Sequence, residues 1–151
     1  TFMVSGLQIL GPRIGAENHT KMEIMIFRCL SFFYNGYMSF DPVIEFLGYM
    51  MVLETLLSPS DRDQLKTTIS EGLALLLESN VDERVELKRH VKALYDTRSA
   101  IVHGSKNNVR WSQVQFARYL AGRMIEIAIS RKDEWKKQVD IADYLDRMKF
   151  S

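Results

Sequence analysis

Cysteine is almost missing from this chain. Cys29 is the only one among 151 residues, so no internal disulfide can close and no cysteine-based metal site can form. A lone thiol fits a reducing compartment, and the expected location is cytoplasmic. Excess charge is missing too. Twenty basic and 19 acidic side chains leave a net charge of +1, so any binding to nucleic acid must use a local patch, not a global field. No apolar run reaches the roughly 20 residues needed to span a bilayer, and no membrane partner is expected. Arg13 follows the N-terminal apolar residues instead of preceding them, unlike the charge order of a signal peptide. There is no glycine-rich phosphate loop of the P-loop type, no His-Glu-x-x-His and no glycine-framed serine. The expectation is a protein with no metal and no other cofactor.

Hydrophobic residues make up 46% and charged residues 26%, the balance of a single soluble domain able to bury most of its apolar surface. Residues 1–19, which begin with Thr1 and contain Pro12, read as a leader or the remnant of a longer protein. Leu7 and Ile9 alternate with polar or small neighbours, so a short irregular or β-like piece is expected there. Residues 20–151 read as a helical domain. Thr20 and Glu23 form a capping-box pattern, opening a first helix to about Asn35 with Met22, Ile26, Leu30 and Phe33 on one stripe. Asp41-Pro42 opens a second, to about Leu57, that is apolar on almost every side and belongs at the centre of a bundle. Pro59 ends it. A third helix, capped by Ser60 or Asp61, runs to about Glu78. A fourth starts at the Asn80/Glu83 pair and stops near Gly104. A fifth spans about Trp111 to Arg131 and a sixth about Glu134 to Met148. The fold class is all-α, a single bundle of five to six helices.

The fourth helix carries the most informative stretch, Leu94-Tyr95-Asp96-Thr97-Arg98-Ser99-Ala100-Ile101-Val102-His103-Gly104. Arginine can neutralise a phosphate and histidine can move protons near neutral pH, the two tools needed to cleave RNA without a metal. The spacing alone is weak, because Arg13/His19 and Arg84/His90 fit a slightly looser pattern. Context favours Arg98 and His103: only they lie at the apolar end of a long helix beside a glycine stop.

At about 100° per residue, Arg98 falls inside the apolar stripe of Leu87, Val91, Leu94, Ile101 and Val102. A buried guanidinium needs a partner. Glu54, on the seam Val43, Leu47, Met50, Leu57 of the second helix, is the best candidate. If that pair is buried, losing Glu54 costs about 3–5 kcal/mol. Five residues of helix turn His103 roughly 140° away from Arg98, towards the line of Ser99 and Asp96. Three arrangements are open: a helix end that unwinds and swings His103 back, a two-fold interface where two copies share a cleft, or a plain C-terminal histidine against free carbonyls. The following loop, Gly104 to Arg110, offers Lys106, Asn107 and Arg110 to a phosphate backbone, although its composition is also that of an ordinary polar turn. Trp111, Phe116 and Tyr119 could stack bases, but helical spacing makes them more ordinary as core.

The segment Leu94 to Gly104, LYDTRSAIVHG, resembles the signature of HEPN domains, especially the Apea-like HEPN group. FLGYMMVLETLL, Phe46 to Leu57, is similar to an earlier helix of that group, with its acidic residue at Glu54. The resemblance covers about Phe40 to Leu120. It implies a helical bundle that forms a homodimer, bringing two Arg-x(4–6)-His motifs together, and a metal-independent ribonuclease of the kind found in toxin–antitoxin and anti-phage systems. It implies catalytic roles for Arg98 and His103, with Ser99, Asp96, Tyr95 and Glu54 in support. It further implies an RNA substrate and an antitoxin or other regulatory protein as partner. Many active members carry Asn, Asp or His where this chain has Ser99, and some members are non-catalytic modules that bind RNA or protein. That is the alternative function.

Overall fold

The computed structural model describes residues 10–58 and 64–151. Leu7, Ile9, Pro59, Ser60 and Asp61 lie outside the described residues. Within them the chain is helical and has no strand. A helical segment over residues 10–14 precedes six longer helices: α1 (Lys21–Tyr37), α2 (Pro42–Leu57), α3 (Leu65–Leu77), α4 (Val81–Val102), α5 (Trp111–Ser130) and α6 (Gln138–Lys149). The described end of the leader is therefore not β-like. Tertiary contact decides this: Leu10 is buried in the core, and the Arg13 guanidinium grips the Glu23 carboxylate at 2.9 and 3.1 Å.

Local chemistry sets most helix starts. Thr20 Oγ1 accepts from the Glu23 amide while Glu23 Oε2 accepts from the Thr20 amide, which satisfies two free donors at once. Asp41 Oδ1 accepts from the Val43 amide at 2.8 Å, with Pro42 in the first turn of α2. Asn80 Oδ1 caps α4 by accepting from the amides of Asp82 and Glu83. The start of α6 was expected at Glu134 but falls at Gln138. The chain turns first so that Trp135 can bury its ring against Tyr144. Asp140 then accepts from the amides of Lys136 and Lys137.

α2 is the hub. It packs against α1 and α5 and also touches α3 and α6, while α4 lies along α3. Phe46, Tyr49, Val52, Leu53 and Leu56 of α2 are all fully buried. α1 and α2 cross where Gly36 meets Gly48. A Cβ on Gly48 would sit 3.0 Å from the Phe32 carbonyl oxygen and 3.2 Å from Gly36 Cα, so only glycine allows this approach. Val91 and Leu94 bury one face of α4, but Val102, expected on the same stripe, is half exposed because the helix end runs past the core.

Candidate functional site

Arg98 points from α4 across to α2 and meets Glu54. Nη2 donates to Glu54 Oε2 at 3.1 Å, and Nε lies 2.9 Å from Oε1. The second contact has ion-pair distance without hydrogen-bond alignment, since Oε1 has no aligned donor. The two side chains keep 29% and 21% of their exposure. The pair is thus half-sheltered, not sealed in the core as the apolar stripe implied. It borders an open pocket of about 390 Å³ lined by Glu54, Thr55, Ser58, Leu65 and Arg98. A guanidinium has five N–H donors, so one bound to Glu54 in this way still has donors for an anion.

Tyr95 sits one turn before Arg98 with its ring buried. Its hydroxyl has no hydrogen-bond partner among the described residues. Burial, and then the nearby Glu54 charge, push its pKa up, so it stays a neutral donor. Asp96 is engaged by Lys66 of α3. Thr97 Oγ1 accepts from Gln113 Nε2 at 2.8 Å, which fastens α4 to α5. Ser99 is exposed beside Arg98.

His103 lies at the end of α4. Its amide donates to the Ser99 carbonyl at 3.0 Å. Gly104 follows at φ 76, a left-handed conformation that glycine adopts without a Cβ penalty. The Gly104 amide donates to Ile101 O and the Ser105 amide to Ala100 O, the paired bonds of a Schellman stop. The helix end is therefore capped, and the arrangement in which it unwinds to carry His103 back to Arg98 is not the one the structure adopts. Five residues of unbroken helix separate the two by roughly 140° and about 7.5 Å of rise. Within one chain, they do not meet. The imidazole is exposed, and no hydrogen bond, ion pair or ring contact holds it among the described residues.

The loop beyond presents Lys106, Asn107 and Arg110. Asn107 and Arg110 are exposed and Lys106 is partly so. Neither cation is in an ion pair among the described residues. The competing pairs are spent elsewhere: Arg13 and His19 converge on Glu23, Arg84 donates to the Glu78 carbonyl, and His90 lies against Arg89 and Phe116. The lone cysteine, Cys29, is buried, and desolvation pushes its thiol up to about 12. No cluster of His, Cys, Asp and Glu able to hold a metal occurs among the described residues. No helix among them is long and apolar enough to cross a membrane.

A second ionic centre was not foreseen. Glu45 of α2 is buried. It accepts from the Tyr49 hydroxyl at 2.7 Å and from Arg118 of α5. The signal was present in the sequence: a helix apolar on nearly all sides carries two acids, and each needs a cation. No family model, curated protein or solved structure matches the chain.

Proposed function

We propose that the chain is a metal-independent endoribonuclease of the HEPN type that works as a homodimer. The carrying observation is His103, an exposed imidazole without a partner among the described residues, on a capped helix end followed by Lys106 and Arg110, which form no ion pair among those residues. Arg98 and His103 diverge on one chain, so the reading requires a second copy to complete the site: His103 of one protomer would face Arg98 of its partner in a shared groove. An imidazole takes the proton from a ribose 2′-hydroxyl, and the 2′-oxygen attacks the phosphorus. The bond to the 5′-oxygen breaks, and that oxygen receives a proton from an imidazolium. Arg98 stabilises the charge on the phosphorane. The products are a 2′,3′-cyclic phosphate and a 5′-hydroxyl. An antitoxin or similar regulatory protein fits such an effector.

The test is RNA cleavage by the purified chain in EDTA. Cleavage is expected, and His103→Ala abolishes it while leaving the helical circular-dichroism spectrum unchanged. Cleavage that persists in the variant assigns the activity to another site. The Arg98–Glu54 contact favours a second reading, a non-catalytic HEPN module that binds RNA or protein. On that reading RNA binds in a salt-sensitive way without turnover.

A further inference from the structure

Trp111 opens α5, directly after Arg110. Its helical spacing left it open to base stacking but more ordinary as core, and it is 53% exposed. Tyr37, at the end of α1, is 56% exposed, and Phe40 in the next connection is fully exposed. Trp111 and Tyr37 share one feature: the Arg118 guanidinium carbon lies 5.5 Å from the Trp111 ring centre and 5.2 Å from that of Tyr37. Arg118 is itself fixed. Nε donates to the Tyr49 hydroxyl at 3.1 Å, and Nη2 donates to buried Glu45. One anchored cation thus touches both rings, and each ring keeps about half of its surface open to solvent.

We infer that Trp111 and Tyr37, braced by Arg118, form a stacking platform for an unpaired base of single-stranded RNA. Stacking on aromatic rings tolerates any base, because each has a π-face. The choice of a polyanion over an apolar protein surface rests on what adjoins the platform. Arg110 immediately precedes Trp111, Lys106 lies four residues before Arg110, and neither forms an ion pair among the described residues. His103 is eight residues from Trp111, so the two Cα atoms are less than about 29 Å apart along the chain. Phosphates would lie on the loop, with one base on the rings. The inference rests on the RNA-cleaving reading for its choice of ligand and gives that reading a specificity: unstacked strands, not duplex.

Intrinsic fluorescence tests it, because the only other tryptophan, Trp135, is 2% exposed. The full chain carrying His103→Ala is titrated with a short single-stranded RNA of mixed sequence and with a duplex of the same length. Single-stranded RNA should quench the emission and duplex should not. Trp111→Phe should lose the quenching but keep the affinity, read as fluorescence anisotropy of labelled RNA. Trp111→Ala should weaken binding about tenfold or more. RNA that binds without quenching, and equally well to Trp111→Ala, overturns the platform. So does an emission change that follows protein concentration without RNA, which assigns the rings to self-association. Cleavage by the parent chain separates the two ideas. Cleavage with no quenching overturns the platform alone, quenching without cleavage overturns the nuclease alone, and neither binding nor cleavage overturns both.

Discussion

Removing the Glu54 carboxylate asks whether Arg98 is held for structure or for chemistry. A fully buried ion pair that loses one partner costs about 3–5 kcal/mol. This pair is not fully buried: the side chains keep 29% and 21% of their exposure, and water can reach Arg98 through the adjoining pocket. One of the two contacts also lacks hydrogen-bond alignment. One charge-assisted hydrogen bond is worth about 1.5–3 kcal/mol, and an exposed pair about 0–1 kcal/mol. The expected loss for Glu54→Ala therefore falls between these, at about 1–2 kcal/mol. Urea unfolding followed at 222 nm should show a lower midpoint with an unchanged slope. In a double-mutant cycle with Arg98→Ala, the coupling should be about 1 kcal/mol or more. A coupling within about 0.3 kcal/mol of zero refutes the pair as an energetic link. A Glu54→Ala loss above about 4 kcal/mol refutes the half-sheltered geometry, because only a desolvated guanidinium left unpaired costs that much.

Two further outcomes follow from the packing and from the N-terminal clamp. Gly48→Ala brings a Cβ to 3.0 Å from a backbone oxygen, which a side-chain shift cannot relieve. A net destabilisation of about 1–3 kcal/mol is expected despite the better helix propensity of alanine, and a gain in thermal stability contradicts the close α1–α2 crossing. The Arg13 guanidinium bonded to Glu23 holds that carboxyl at about 2, below its ordinary 4.5. A depressed folded-state pKa contributes stability that is fully present above pH 4.5 and is lost as pH falls towards 2. Thermal melts from pH 6 to pH 2 should therefore fall less steeply for Glu23→Gln than for the parent chain. Equal slopes would rule the clamp out.

Much of the site's framework could be read from residue order, and particular residues show why. Thr20/Glu23, Asp41-Pro42, Asn80 and Gly104 each act within a few residues of themselves, so the N-caps of α1, α2 and α4 and the stop of α4 were visible in advance. The Glu54–Arg98 pair was visible because a charge inside an apolar stripe demands a partner, and the second helix offered one acid on the right seam. Its partial exposure was not visible, since periodicity ranks faces but does not say where a helix end overhangs the core. The same limit hid the exposure of Val102 and Trp111.

The sequence by itself determined the helices, their order and the central place of α2, because capping groups and apolar periodicity are local properties of the chain. Tertiary structure alone decided that Leu10 docks in the core, that Trp135 delays α6, that Arg118 gathers Glu45, Tyr49, Tyr37 and Trp111, and that the Arg98–Glu54 pair stays partly open to solvent. Each of these depends on which distant surface comes within a few ångströms, and on whether a buried charge or ring finds its partner there.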